Sequence, residues 1–193
     1  SSMGLRVQQT STAKFMNGTL KAADYKDLKQ VVHTYGNVTF QDFTVDATED
    51  SYAQTAYEVD NGTLKMLGNS SILAYPGNTG LYVAFWPRNG YIDGTTVTVD
   101  TTGKITGKLV YEWDDKATDS EQQKENRAVL NIVNGNFDIT EIETLFTDSI
   151  PSELKVTKIT ITGGTYAIDP TAYVADTHIA RKDSDTKFVV VEK

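Results

Sequence analysis

The chain contains no cysteine and only two histidines among its 193 residues. The absence of cysteine excludes disulfides, thiolate metal sites and cysteine nucleophiles. The two histidines, His33 and His178, have no HExxH or other paired-histidine spacing, so we expect both to be solvated or partly packed. The sequence therefore predicts neither a metal site nor a bound cofactor.

Basic residues are also scarce, because 18 Lys and Arg stand against 26 Asp and Glu and leave a formal net charge of −8. An acidic chain repels phosphate groups, which argues against nucleic acid and anionic membranes as partners. No apolar run approaches the roughly 18 residues of a membrane span, so we expect no membrane insertion. The hydrophobic content of 39% is that of a folded globular chain.

Catalytic motifs are absent from the sequence as well. There is no G-x-S-x-G nucleophile turn, and the acidic stretch from Asp114 to Glu121 lacks the spacing of a calcium loop. The segment "EWDD" (Glu112–Asp115) places acids beside an aromatic residue, as a polysaccharide lyase or hydrolase would require. A pectate lyase would also need Lys or Arg as a base near acidic calcium ligands, and the sequence contains no such arrangement, so we interpret the acids as a solvated edge that discourages aggregation. We predict that the protein is not an enzyme.

Short alternating runs of Thr, Val, Ile and Tyr dominate the chain. Examples are Asn37–Ala47, Thr95–Asp100, Lys108–Trp113 and Lys158–Tyr166. Alternation of this kind is typical of half-buried β-strands. The sequence therefore predicts a mainly β protein.

Turn signals recur along these runs, and "NGTLK" occurs twice, at Asn17–Lys21 and at Asn61–Lys65. The main turn glycines lie 14 to 41 residues apart, whereas the turns of a β-sandwich usually recur every 8–12 residues. The wider, uneven gaps favour the coils of a β-solenoid, in which each coil buries its inner face against the next.

Two segments carry a helical pattern. Leu28, Val31, Val32 and Tyr35 fall at i, i+3, i+4 and i+7, which predicts a helix that caps the first coil. "ITEIETLF" (Ile139–Phe146) predicts a second, short helix.

We predict one domain with five parts. They are an N-terminal segment and first strand (1–20), a capping helix (21–36), β-solenoid coils (37–176), an acidic insertion within the coils (114–127) and a C-terminal hairpin (177–193).

Aromatic residues cluster in "GLYVAFWPRNGYIDG" (Gly80–Gly94). Alternation places Leu81, Val83 and Phe85 on one face and Tyr82, Ala84 and Trp86 on the other. If the aliphatic face points into the core, the face with Tyr82 and Trp86 is exposed. An alternative of equal weight is that Trp86 is packed beneath a loop, because large aromatic side chains are usually mostly buried. The sequence predicts a ligand-binding side patch of Tyr82, Trp86, Arg88 and Tyr91, suited to stacking on sugars or to anchoring a protein.

The C-terminal stretch "ITITGGTYAIDPTAYVAD" (Ile159–Asp176) resembles the closing coil of right-handed parallel β-helix (pectate-lyase-like) regions in cell-surface proteins of Gram-positive gut bacteria, and the resemblance implies that fold for the solenoid. The matching residues are Gly163, Gly164, Thr165, Tyr166, Asp169, Pro170, Thr171, Tyr173 and Val174, with Tyr166 where phenylalanine is more usual. The resemblance covers about the last 35 residues and carries no catalytic residue.

This resemblance implies a non-catalytic extracellular module at the cell surface, acting as an adhesin or stalk. Its expected partner is a glycan or a host or bacterial surface protein, bound at the side patch. Two alternatives remain open at this point. One is a phage or virion structural protein, such as a homotrimeric fibre or a capsid decoration, and the other is a polysaccharide lyase or hydrolase.

Overall fold

A computed structural model of the chain describes residues 2–22, 26–86, 94–114, 127–148 and 150–193. Strands make up 66% of the structure, and the described residues contain no α-helix, so the fold is mainly β. The strands are β1 (Ser2–Val7), β2 (Thr12–Lys21), β3 (Leu28–Thr34), β4 (Asn37–Asp46), β5 (Thr55–Asp60), β6 (Thr63–Gly68), β7 (Ser71–Leu73), β8 (Thr79–Phe85), β9 (Thr95–Trp113), β10 (Ala128–Phe146), β11 (Ile159–Ile161), β12 (Thr165–Tyr166), β13 (His178–Ser184) and β14 (Lys187–Glu192).

These strands pair in parallel into three stacks and form a β-solenoid of about five turns. Stack A contains β1, β3, β5, β8 and the C-terminal ends of β9 and β10. Stack B contains the first halves of β2 and β4, then β6, the starts of β9 and β10, and β11. Stack C contains the second halves of β2 and β4, then β7, the middles of β9 and β10, and β12. The predicted parallel solenoid is confirmed, and its right hand stays a prediction based on the strong preference of parallel crossovers.

The number of residues per turn follows from the residues that are in register in successive turns. Thr12, Asn37, Thr63, Thr96 and Val129 occupy equivalent positions in successive turns of stack B, so the residue number rises by 25, 26, 33 and 33. The two longer turns are those that contain residues 87–93 and 115–126. The uneven turn length explains why no simple sequence period is visible.

Inward side chains form apolar ladders along the axis. In stack C the ladder is Leu20, Val45, Ile72, Ile105, Phe137 and Tyr166. From Val45 to Tyr166 its members are at most 1% exposed. Full burial of such a side chain contributes about 1.5–3 kcal/mol, and only the neighbouring turns supply that burial.

The corners between stacks use left-handed backbone. Asn17, Asp42 and Gly68 have φ values of 51°, 55° and 64° at the corner between stacks B and C, and Asn61 has 54° at the corner between A and B. Asn and Gly adopt this conformation more readily than other residues. The two "NGTLK" copies therefore lie at different corners, and their identity reflects turn chemistry rather than the solenoid period.

The helix predicted for residues 21–36 is wrong. Its described part contains strand β3, which pairs with β1 on one side and β5 on the other. The apolar residues of the predicted helical face are buried, but His33 and Thr34 are buried too. A parallel strand covered on both faces has no alternation, so its apolar run is easily mistaken for a short helical pattern.

The short helix predicted at Ile139–Phe146 is also wrong, because these residues are the end of β10. They pair with the end of β9 from Ile139 to Phe146, with an irregularity between Ile139 and Glu141. Of the acidic insertion predicted at 114–127, the structure describes only Asp114 and Arg127. Strands β1, β2 and β3, which precede Asn37, pair within stacks A to C and therefore belong to the turns of the solenoid.

The C-terminal closure follows the predicted pattern. A 3₁₀ turn at Thr171–Tyr173 leads Val174 into a parallel bridge with Ile161. The predicted hairpin is confirmed as β13 and β14, which pair antiparallel, and β14 also pairs with β12. Stacks B and C are thereby extended past their last full turn.

The side chain of Asp169 holds this closure in place. Its Oδ1 accepts hydrogen bonds from the backbone N–H of Thr171 at 2.9 Å and from the Thr171 hydroxyl at 2.5 Å. These two bonds, the hydroxyl bond first, lower the pKa of Asp169. The Asp169 carboxylate therefore satisfies the backbone N–H of the first residue of the 3₁₀ turn from one position before Pro170.

Replacing Asp169 with alanine should lower the free energy of unfolding by about 0.5 kcal/mol at neutral pH, since one exposed cap is lost. Because the pKa is lowered on folding, the wild-type advantage is present above the unfolded-state pKa of about 3.9 and is lost as the pH falls through the folded-state value. Urea unfolding of both proteins at neutral pH and near pH 3 checks this. An equal difference at both pH values would contradict it.

Candidate functional site

Strand β8 presents the predicted aromatic pair on the outer side of stack A. Leu81, Val83 and Phe85 are fully buried, whereas Tyr82 and Trp86 are half-buried. The alternation predicted for this segment is therefore present. Ala84, on the outer side between the two aromatic residues, is itself fully covered.

The two rings contact each other edge to face. The ring centroids of Tyr82 and Trp86 lie 6.3 Å apart with an interplanar angle of 70°, a favourable arrangement for aromatic pairs. The predicted side patch included two further residues, Arg88 and Tyr91, and both lie outside the described residues. The structure thus brings together two of the four predicted residues.

Glu112 on β9 joins the aromatic pair. The Tyr82 hydroxyl donates a hydrogen bond to Oε2 of Glu112. The pKa of Tyr82 is raised mainly by burial of its hydroxyl group. The hydrogen bond to Glu112 and the negative charge of Glu112 raise it further, and the charges of Glu58 and Glu143 add to the effect. Tyr82 therefore stays protonated and keeps donating at any physiological pH.

Parallel register places Tyr82 within a row that crosses all of stack A. The row, which we call the polar row, is Arg6, His33, Glu58, Tyr82, Val110 and Glu143, with one residue from each strand. Neighbouring strands lie about 4.8 Å apart, so adjacent side chains of the row are in contact range. The row combines three carboxyl or hydroxyl groups, an imidazole and a guanidinium on one surface.

The most buried part of the polar row is a close contact between His33 and Glu58. His33 Nε2 lies 3.4 Å from Glu58 Oε1, and both side chains are no more than 4% exposed. Gln30 Nε2 donates to Glu58 Oε2 at 3.1 Å, and the Tyr35 ring packs on the imidazole with centroids 4.4 Å apart. A buried carboxylate needs such partners, because desolvation without them is costly.

This pair could not be read from the sequence, which predicted a solvated or partly packed His33 on a helix. The residues are 25 positions apart, and only the register of β3 with β5 places them side by side. Arg6 at the edge of the row lies 4.9 Å over the Tyr35 ring. These contacts connect the first turn to the polar row.

The structure separates the two acids considered for catalysis. Glu112 is half-buried on the outer side and is already bonded to Tyr82, while Asp114 is only 3% exposed. The backbone of Asp114 continues the ladder by donating to the Phe85 carbonyl at 2.9 Å. The two carboxyl groups are therefore not presented together on the open surface.

The described residues contain no group of three or more His, Asp or Glu that could hold a metal ion. Nor does that part of the chain form any helix long and apolar enough to cross a membrane. None of the protein-family models, curated proteins or solved structures compared with the chain matches it.

The arrangement is suited to binding. Two partly exposed aromatic rings offer apolar surface, and the adjacent Glu112 carboxylate can accept hydrogen bonds from hydroxyl groups. A few polar groups beside apolar ring faces are a common recognition arrangement for small polar ligands. Tyr82 lies within β8, and Trp86 directly follows that strand with its backbone N–H donating to Oδ1 of Asp60 at 3.2 Å, so the two residues are held close together before a ligand binds.

Proposed function

We propose that the protein is a non-catalytic β-solenoid module of a bacterial surface protein, which acts as an adhesin or stalk and binds glycans. The supporting observation is the partly exposed pair of Tyr82 and Trp86 with Glu112 on the outer side of stack A. The rings supply stacking surface for sugar rings, and the carboxylate supplies an acceptor for sugar hydroxyls.

The stalk role is supported by the solenoid itself. About five turns share one continuous core, and every inner turn is stabilised by its two neighbours. The extracellular location is inferred from the resemblance of the closing coil at Gly163–Val174 to coils of bacterial surface proteins. A solenoid without disulfides depends on packing alone for its stability outside the cell.

Binding is better supported than catalysis because the acids of this surface are already engaged. Glu58 is held by His33 and Gln30, and Glu112 is held by Tyr82. Glycoside hydrolysis requires two carboxyl groups placed on either side of the scissile bond. Formation of product from pectins or other uronic-acid polymers would contradict the non-catalytic proposal.

We expect Trp86→Ala to weaken glycan binding at least tenfold, because the largest ring surface of the patch is removed. Tyr82→Phe should have a smaller effect, about threefold, since the ring remains and only its bond to Glu112 is lost. A glycan array selects the ligand, and titration calorimetry then measures its affinity for the three proteins.

Tyr75→Ala is the matched control, because Tyr75 is 36% exposed and lies before β8 while Trp86 follows that strand. It should leave the affinity unchanged. Equal losses in the Tyr75 and Trp86 variants, or no glycan bound by the wild type, would exclude the side patch as the site. A homotrimer by light scattering would instead favour the virion alternative.

A further inference from the structure

A groove follows the corner between stacks A and B. Its volume is about 180 Å³, and four successive turns of the solenoid contribute to its lining. Because neighbouring strands lie about 4.8 Å apart, the groove extends about 14 Å along the solenoid axis. The residues of this groove, which we call the corner groove, are 9, 10, 35–37, 61–63, 94 and 96. Its elongated form suits a chain-like ligand better than a single small ring.

The described residues that line the corner groove include no charged side chain. Gly36, Gly62 and Gly94 contribute only backbone, and the other lining residues carry amide, hydroxyl or phenol groups. An ionic ligand would therefore meet no opposite charge there. An anionic ligand would also be repelled by the formal net charge of −8 of the chain. The groove thus favours a neutral ligand with many hydrogen-bonding groups.

Asn37, Thr63 and Thr96 form a row of polar side chains along the corner groove, because they are in register in successive strands of stack B. The Thr63 hydroxyl donates a hydrogen bond to Oδ1 of Asn37 at 2.8 Å, which leaves Nδ2 of Asn37 to donate to a ligand. Asn37 and Thr96 are exposed. The row therefore presents donors and acceptors at the spacing of the strands.

The backbone at this corner already belongs to the ladder of stack B. The Thr63 N–H donates to the Gly36 carbonyl at 3.1 Å, and the Thr96 N–H donates to the Gly62 carbonyl at 2.9 Å. The groove consequently offers side-chain amides and hydroxyls rather than a strand edge. Such groups match the hydroxyls of a sugar chain better than the backbone of a peptide.

Asn61 connects the corner groove to the side patch. Its side chain lies in the lining of the groove, and its Nδ2 donates to the Trp86 carbonyl at 2.9 Å and to Oδ1 of Asp60 at 2.7 Å. The backbone of Trp86 is therefore in contact with the groove. A ligand chain that stacks on Trp86 is within reach of the polar row formed by Asn37, Thr63 and Thr96.

We infer that the corner groove is a second part of the glycan site, and that the ligand is a neutral oligosaccharide that extends from Trp86 along this groove. The inference rests on the proposed glycan binding at Tyr82 and Trp86. It adds the class of glycan, because the groove carries no charge, and a minimum length, because a single sugar ring cannot occupy the patch and the groove together.

The probes are xylo-, manno- and cello-oligosaccharides of two and of six sugar rings, with a six-ring oligogalacturonate as the anionic counterpart. We expect the best-bound neutral six-ring oligosaccharide to bind at least about tenfold more tightly than the two-ring form of the same sugar, because several hydrogen bonds are added. The oligogalacturonate should bind more weakly than this neutral chain. Titration calorimetry measures all of these affinities.

The variant Thr96→Trp should fill the corner groove and remove the advantage of length. The six-ring affinity should fall to the two-ring value, and the two-ring affinity should stay unchanged. Thr102→Trp is the matched control, because Thr102 is also an exposed threonine of β9 but lies outside the groove. It should leave both affinities unchanged, and equal melting temperatures confirm that the two variants are folded.

Three results would overturn the inference and leave the proposed function in place, provided that Trp86→Ala still weakens binding. They are equal affinities for the two lengths, a six-ring affinity that Thr96→Trp leaves unchanged, and tighter binding of the oligogalacturonate than of every neutral chain. The absence of binding to any oligosaccharide would overturn the proposed function together with this inference.

Discussion

Replacing Phe137 with alanine should lower the free energy of unfolding by about 3 to 5 kcal/mol. The ring is fully buried in stack C and lies flat on Tyr166, with centroids 4.8 Å apart and an interplanar angle of 8°. Ile105 covers it from the preceding turn. Removing the ring leaves a cavity between two rigid turns, which cannot collapse while their backbone hydrogen bonds remain.

Phe15→Ala provides the matched control, because Phe15 belongs to the first turn and is only partly buried. Its loss should cost less than half as much, since one side of that ring already lacks core neighbours. Denaturant unfolding of both variants measures the difference. Equal destabilisation by the two variants would contradict the partial burial of Phe15.

Replacing Gly163 with valine should cost at least about 3 kcal/mol and lower the melting temperature by about 6 to 12 °C. A Cβ at this position would lie 2.2 Å from the carbonyl oxygen of Val133 in the preceding turn. That oxygen is backbone and cannot move without disturbing β10. The requirement for glycine here is close stacking between turns, since the left-handed φ of 96° belongs to the next residue, Gly164.

Gly77→Ala is the control that distinguishes the steric overlap expected at Gly163 from the backbone strain of replacing a glycine with positive φ. A Cβ at Gly77 would meet no atom within 4 Å, and its φ of 89° makes backbone strain the only cost. That strain is about 1–2 kcal/mol. Calorimetry that found Gly163→Val no more destabilised than Gly77→Ala would show that the turns are not stacked so closely at this corner.

The candidate site was partly predictable from the sequence. Alternation in β8 was enough to place Leu81, Val83 and Phe85 inward and Tyr82 and Trp86 on the other side, because side chains of a strand alternate whatever its partners are. Glu112 appeared only as a member of an acidic segment. Its bond to Tyr82 depends on which strand follows β8 in the stack, and no local pattern contains that information.

The buried pair of His33 and Glu58 was beyond prediction for the same reason. The periodicity around His33 favoured a helix, in which its neighbours would have been residues three and four positions away. In the strand, its neighbours instead come from the turns before and after it, through Arg6 and Glu58. A polar residue inside an apolar run was the only local sign that a buried partner existed.

The sequence by itself determined that the protein is a parallel β-solenoid, where its corners use Asn and Gly, and how its C-terminal end closes. These features depend on residues close together in the chain, such as the alternation of Ile159–Ile161 and the capping bonds of Asp169. The tertiary structure decided that Leu28–Thr34 is a strand, that the polar row exists, and that Tyr82 is bonded to Glu112. The physical reason is that stacking in register joins residues about one turn apart, and a turn varies from 25 to 33 residues.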